Sequence, residues 1–134
     1  MICEIIGKPG EPGSGAGPEA FEPGIGYVCT KAGAVLLRNL TSEDWRDAAL
    51  EMRLTSELSQ KVKKPYYHLV LSWHEQERPS DEQMLAAMTQ MLEALGLDEH
   101  QAVIGTHHDR EHQHVHAVVN TVHPTSGQAW SKSN

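Results

Sequence analysis

Histidines are concentrated in one short segment near the C-terminal end of the sequence. The chain has nine histidines, and six of them fall there: His107, His108, His112, His114, His116 and His123. In a strand, successive side chains point to opposite faces, so His114 and His116 stand on one face with Cα atoms roughly 6–7 Å apart. At that separation two imidazoles can bind the same cation. The pattern therefore predicts part of a metal site.

A third imidazole comes from the strand before it. His107 and Asp109 alternate around His108 and share one face, and a tight turn over 109–113 brings His107 beside His114 and His116. Three neutral imidazoles that leave coordination positions open are typical of a catalytic metal site rather than a closed structural one. We therefore predict that the three histidines bind one divalent cation. Asp109 is predicted to orient a ligand imidazole or to act in proton transfer.

Two questions stay open at this point. One alternative is that these histidines are ordinary core and surface residues that bind no metal. The spacing also does not define the reaction, because many metal hydrolases use a similar set of ligands. Imidazole nitrogens by themselves favour zinc, copper or nickel over harder ions.

The surrounding sequence predicts an α+β domain, in which an antiparallel sheet is flanked by helices and the histidine hairpin lies at its centre. Apolar periodicity predicts helices over 42–60, capped by Thr41 or Ser42, and after the Ser80/Gln83 capping box as far as Gly96. Bulky or β-branched runs predict the strands. These strands cover residues 1–6, 66–73, 102–108 and 114–122.

The N-terminal part of the chain is harder to assign. Glycine and proline are frequent over residues 7–26, which predicts a flexible loop. The pattern over 25–40 is mixed: Tyr27, Val28 and Cys29 either open a short helix or end a strand, and Gly33 breaks the pattern after them.

Composition limits the possible functions. A chain of 134 residues fits one domain over 1–134. Cys3 and Cys29 form no metal-type pair, and we expect buried free thiols. The sequence has no secretion signal and no apolar run that could cross a bilayer, so we expect a cytoplasmic protein without a membrane partner. The net charge of −7 is unusual for a protein that binds nucleic acid, and the only dense basic cluster is Lys61, Lys63 and Lys64.

The histidine segment resembles the third motif of the mobilisation relaxases of conjugative plasmids. These MobP-type enzymes belong to the His-hydrophobic-His superfamily of single-strand endonucleases. The motif reads His-X-Asp, four residues, His-X-His, three residues and Asn, and His107, Asp109, His114, His116 and Asn120 meet every position. The next residues, from 123 to 125, are also typical of some members.

Two further segments resemble the family, so that the resemblance spans roughly residues 25–125. The strand ending in Ser72 is similar to the second motif, whose serine lies close to DNA at the nick. Tyr27 stands where the first motif has its nucleophilic tyrosine. The resemblance implies that Tyr27 attacks DNA and that Ser72 and Asn120 contact it. As the only dense basic cluster, Lys61, Lys63 and Lys64 are the predicted phosphate contacts, with a solvated helix end as the alternative. Family members usually continue past the point where this sequence ends, so we expect either a domain truncated at its C-terminus or a short natural form.

The resemblance implies nicking of one DNA strand at a transfer origin, with a 5′-phosphotyrosyl link to the enzyme. Magnesium or manganese is the implied ion, and zinc or nickel is the alternative. The implied partners are single-stranded or hairpin DNA and accessory relaxosome proteins. A rolling-circle replication initiator would share the metal hairpin but carries its tyrosine after it, and no tyrosine follows His116. The remaining alternative is a non-catalytic DNA-binding or metal-binding relative.

Overall fold

The fold is the predicted α+β arrangement with an antiparallel sheet. The described residues form six strands, two more than the sequence predicts, because the strands over 11–12 and 35–38 were not expected. A computed structural model describes residues 2–8, 11–12, 16–109 and 111–131. The strand order is β2-β1-β4-β6-β5-β3, and every pairing is antiparallel. The strands are β1 (Ile2–Lys8), β2 (Glu11–Pro12), β3 (Val35–Arg38), β4 (Tyr66–Ser72), β5 (Ala102–His107) and β6 (His114–Asn120).

In the part of the chain that the structure describes, three α-helices cover the two faces of this sheet. They are α1 (Phe21–Cys29), α2 (Trp45–Ser56) and α3 (Asp81–Ala94). Helix α3 packs on one face through Met84, Met88 and Leu92. Helices α1 and α2 pack on the other face, where they bury Val103 and Val118. Among the described residues, no helix combines the length and the apolar character needed to cross a membrane.

Strict alternation along the central strands separates these two faces. On β6, Val115 and Val119 belong to the α3 core, whereas Val118 belongs to the α1/α2 core. Because side chains alternate, His114, His116 and Asn120 share the face of Val118. The predicted separation of the histidines from the odd-numbered valines is therefore confirmed, and the histidines lie on the sheet face where α1 and α2 pack.

Helix α3 begins and ends as the sequence predicts. Ser80 and Gln83 form the reciprocal capping box, which satisfies two backbone donors at the helix start. Gly96 has a φ of 77°, a conformation that glycine adopts without a Cβ penalty. The Leu97 amide then donates to Leu92 at 2.8 Å, which closes the C-terminal turn.

The predicted start of α2 is wrong. Asp44 caps the helix by accepting from the Arg46 amide at 2.9 Å. Thr41 and Ser42 instead donate their amides to the Glu51 carboxylate, each at 2.8 Å. The Glu51 side chain within α2 thus accepts hydrogen bonds from the two residues that the sequence predicted as the helix cap.

The predicted flexible loop over 7–26 is also wrong for much of its length. Strand β1 continues to Lys8, a 3-10 turn covers Pro18–Ala20, and α1 begins at Phe21. Residues 9–10 and 13–15 lie outside the described residues. The helix forms because Phe21, Ile25 and Val28 have helical spacing and are all buried, and this burial outweighs the low helix propensity of the glycines between them. Tyr27, Val28 and Cys29 therefore lie in a helix rather than a strand.

A candidate metal centre beneath helix α1

The β5–β6 hairpin brings the three predicted metal ligands together. His107 lies directly opposite His114 in the register, and Gly105 lies opposite His116. All three imidazoles are buried, and one nitrogen from each lies within 4.8 Å of the others. His114 Nδ1 and His116 Nε2 are 2.8 Å apart. Two nitrogens bound to one ion at about 2.1 Å lie roughly 3–4 Å apart, so the set fits a divalent cation after small side-chain adjustments.

A backbone carbonyl of α1 defines the tautomer of His107. His107 Nε2 lies 2.7 Å from the Val28 carbonyl oxygen. A carbonyl can only accept a hydrogen bond, so Nε2 carries the proton and Nδ1 keeps the lone pair that a cation requires. The same bond satisfies a carbonyl in the last turn of α1. This bond therefore links α1 directly to the candidate ligand His107.

Gly105 allows α1 to approach the sheet this closely. A Cβ atom at position 105 would lie 2.6 Å from the Val28 oxygen, which is closer than van der Waals contact permits. Gly105 and His107 share a face of β5, and the glycine therefore leaves the space in which the Val28 carbonyl reaches His107.

Asp109 lies at the edge of the cluster. Its Oδ1 atom is 3.5 Å from His114 Nε2, and its side chain is largely exposed. The pKa of Asp109 is below its ordinary value. Desolvation raises this pKa, but a backbone hydrogen bond and the nearby His114 and His107 together lower it more. The carboxylate is therefore ionised beside a candidate ligand.

Tyr27 projects from α1 over the imidazoles. Its ring centroid is 5.5 Å from that of His116 and 5.9 Å from that of His107. More than half of the Tyr27 side chain is exposed, at 56%. The other two tyrosines, Tyr66 and Tyr67, are buried on opposite faces of β4. Tyr27 is thus the one tyrosine of this sequence that is both accessible and next to the cluster.

Comparisons with known proteins find a matching family and several relatives. The family described as "Relaxase: MobA/VirD2-like, nuclease domain" matches residues 27–134. Protein MobA of Acidithiobacillus ferrooxidans is 46% identical over 57 residues, which cover 42% of this chain and 14% of that protein. Protein TraI of Escherichia coli is 30% identical over 96 residues, or 71% of this chain and 13% of that protein. No solved structure matches the chain at a significant level.

The chain belongs to the MobA/VirD2-like relaxase nuclease domains. The family match covers most of the sequence and includes Tyr27 and the whole histidine hairpin. The chain nevertheless spans a small part of the curated relatives that it matches. The activities of those larger proteins can therefore only be proposed for this chain.

Within this relaxase domain, Ser72 lies next to the cluster. It pairs with His114 in the β4–β6 register. It also shares the face of His68 and Val70, because side chains alternate along β4. Ser72 is partly exposed at the end of its strand, so the structure leaves its hydroxyl within reach of a molecule approaching the histidines.

The structure does not support the expectation that Asn120 contacts DNA. Its side chain is fully buried, with 0% exposure. Its amide donates to the Met52 carbonyl at 2.9 Å and to Gln101 Oε1 at 3.1 Å, and its oxygen accepts from the Val122 amide at 3.1 Å. Asn120 thus connects β6 to α2 and to the neighbouring residues Gln101 and Val122. Its side chain has no exposed surface that could contact a ligand.

The three lysines lie away from the cluster. Lys61, Lys63 and Lys64 are exposed in the segment before β4, at the end of the strand where Tyr66 pairs with Asn120. Ser72 is at the other end. At about 3.3 Å per residue, the length of β4 separates the lysines from Ser72 by roughly 20 Å. Any phosphate contact that they make is therefore several nucleotides away from the histidines.

The sequence did not identify His68 as part of the site. His68 was not among the predicted ligands, but its Nε2 lies 2.8 Å from His116 Nδ1. Burial, followed by the influence of His107, lowers the pKa of His68 to about 4, so the ring is neutral. The parity of β4 could have revealed this position, because His68 and Ser72 are an even number of residues apart and therefore share a face.

The free thiol Cys29 is structural. It lies at the end of α1, is buried, and has its pKa raised to about 12 by desolvation. A thiol held in its protonated form is a poor nucleophile and metal ligand, which agrees with the predicted inert role. The side chain of Cys3 lies outside the described residues.

Proposed function

We propose that this domain nicks one strand of DNA at a transfer origin by tyrosine transesterification that depends on a divalent cation. The observation that carries the proposal is the exposed Tyr27 ring lying edge-on to two of three clustered imidazoles. A phenol oxygen at this position and a phosphate held at the histidines would be neighbours. The family match adds the class of reaction, since its description is that of a nuclease domain.

Tyr27 is the proposed nucleophile. Its phenol oxygen forms a bond to the scissile phosphorus as the bond from phosphorus to the 3′ oxygen breaks. The leaving 3′ oxygen takes up one proton, so the products are a 5′-phosphotyrosyl link and a free 3′-hydroxyl. Because the new link is also a phosphodiester, the 3′-hydroxyl can later attack it and rejoin the strand. A phenol is a weak nucleophile at neutral pH and needs activation.

His107, His114 and His116 are the proposed ligands, through His107 Nδ1, His116 Nε2 and one nitrogen of His114. When bound, a divalent cation polarises the phosphate and stabilises the charge that develops on its oxygens. We favour magnesium or manganese in the cell, with zinc or nickel as alternatives that imidazole also binds. The positive charge would offset part of the acidic balance of the chain.

The remaining groups orient the substrate and move the proton. Asp109 is the proposed acceptor of the Tyr27 proton, because it is exposed and ionised beside His114 and lies outside the set of nitrogen ligands. Ser72 is proposed to donate a hydrogen bond to a phosphate near the nick. Lys61, Lys63 and Lys64 are proposed to hold the backbone of single-stranded or hairpin DNA farther along. Accessory relaxosome proteins would supply further contacts in the cytoplasm.

A rolling-circle replication initiator is less well supported. The candidate nucleophile Tyr27 precedes the hairpin in the chain and packs against it from α1.

The test is the formation of a covalent adduct with single-stranded DNA that carries the transfer-origin sequence of the parent element. The wild-type protein should form a denaturant-resistant adduct in Mn²⁺ or Mg²⁺, and a chelator should prevent it. A replacement of all three ligands by alanine serves as the matched protein control. DNA binding without an adduct under all ions would favour the non-catalytic relative.

A further inference from the structure

A second layer of hydrogen bonds lies behind the three candidate ligands. His116 Nδ1 contacts His68 Nε2 at 2.8 Å, and His68 Nδ1 contacts the Tyr66 hydroxyl at 3.1 Å. Both residues of this layer are buried, with 6% and 4% of their surface exposed. Tyr66, His68 and His116 thus form a continuous chain that runs from the cluster into the core.

Helix α1 covers this second layer of hydrogen bonds. A Cβ atom at Gly24 would lie 2.2 Å from the Tyr66 hydroxyl oxygen, so the helix backbone rests directly against that group. Phe21 packs edge-on to the Tyr66 ring, with centroids 5.5 Å apart. These contacts leave Tyr66 little freedom to turn away from His68.

The His116 nitrogen that faces the cluster determines which group donates in each hydrogen bond of this chain. His116 Nε2 points toward His114 Nδ1, so Nε2 is the nitrogen placed to bind a cation. A nitrogen that binds a cation uses its lone pair, and the proton of the neutral ring then sits on Nδ1. Nδ1–H donates to His68 Nε2, the proton of His68 sits on its own Nδ1, and the Tyr66 oxygen accepts it.

We infer that His68 is a positioning residue for His116, and that Tyr66 holds His68 in the tautomer that this task requires. The inference rests on the proposed cation site. Groups that accept the second N–H of a ligand imidazole fix its tautomer and orientation, and their loss typically weakens metal affinity about 10–100-fold. Here the accepting group is a second, neutral imidazole.

The first experiment compares two substitutions at one position. His68→Gln retains an acceptor near the position of Nε2, whereas His68→Leu has a similar size and no acceptor. Mn²⁺ affinity is measured from the electron paramagnetic resonance signal of free Mn²⁺. We expect His68→Leu to lose about 10–100-fold in affinity and His68→Gln to stay within about fivefold of the wild type. Tyr66→Phe should lose less than His68→Leu, and the exposed His74→Leu should change nothing.

The second experiment reads the tautomers directly. Nitrogen-15 spectra of the Zn²⁺-loaded protein should show the proton on Nδ1 in both His68 and His116, and this readout remains informative if His68→Leu fails to fold. Equal losses in the Gln and Leu variants, wild-type affinity in the Leu variant, or a proton on Nε2 of His68 would overturn the inference. If the wild type bound neither ion at the hairpin, the proposed function itself would fail. If the wild type binds the cation and the His68 and Tyr66 variants bind it equally well, only the positioning role is contradicted.

Discussion

The two ends of strand β6 carry polar motif residues on the same face but in opposite environments. At one end His114 and His116 gather with His107 beneath an accessible tyrosine. At the other end, Asn120 has its amide and its oxygen bonded within the protein. The contrast shows that residues of one sequence motif need not share a role: the histidines form a cluster that could hold a cation, whereas the asparagine bonds within the fold.

The largest effect should come from the histidine end. His116→Ala removes one of three imidazole donors and should lower Mn²⁺ affinity by at least about 100-fold, since a site with few ligands loses much of its binding energy with each one. Calorimetric titration measures this change. Thermal unfolding should show a midpoint close to that of the metal-free wild type, and a variant that kept wild-type affinity would remove His116 from the site.

A substitution at the asparagine end of β6 should lower folding stability and leave Mn²⁺ affinity unchanged. Asn120→Ala leaves the Met52 carbonyl and the Val122 amide without their partner in a buried setting, which should cost about 3 kcal/mol of folding stability. Denaturant unfolding measures this loss. The folded fraction should bind Mn²⁺ with wild-type affinity. A stable variant with weakened DNA binding would instead return Asn120 to the DNA interface.

Gly105→Ala tests the link between α1 and the histidines. The added Cβ must displace the Val28 carbonyl, which would move Tyr27 and weaken the bond to His107. We expect adduct formation to slow by roughly 10–100-fold, because small misplacement of reacting groups is costly, while Mn²⁺ affinity falls less. Single-turnover nicking rates set beside Mn²⁺ titrations separate the two effects. An unchanged rate would show that α1 does not position the nucleophile.

The smallest effect should come from the lysines. Charge reversal of Lys61, Lys63 and Lys64 together should weaken DNA binding and reduce the salt dependence of the binding constant by up to about two units of slope. The nicking rate at saturating DNA should not change, because the lysines lie at the far end of β4. Affinity measured across a salt series tests this. An unaltered slope would place the DNA path elsewhere.

The sequence predicted the parts of the site that depend on local periodicity. Alternation on β6 placed His114 and His116 together, and the turn after Asp109 brought His107 to them. The capping box at Ser80 likewise located α3. These features need no knowledge of distant contacts, because each depends on the two-residue period of a strand or the chemistry of a helix end.

The parts that were missed depend on packing between distant segments. Glycines and prolines near Gly24 suggested a loop, yet burial of Phe21 and Ile25 stabilises a helix there. The contacts of Val28 with His107 and of His68 with His116 join residues far apart in the chain. Local patterns carry no information about such contacts, and the same limit explains why Asn120 was assigned to DNA rather than to α2.

The most direct test of the central claim is to identify the residue that becomes attached to DNA. The wild-type protein is incubated with Mn²⁺ and its single-stranded substrate, digested, and analysed by mass spectrometry for the peptide that carries the 5′-phosphate. Our account predicts a nucleotide on Tyr27, and no adduct in Tyr27→Phe, although that variant still binds Mn²⁺ and DNA. A DNA-linked peptide that contains Tyr66, Tyr67 or a histidine, or an undiminished adduct in Tyr27→Phe, would contradict it.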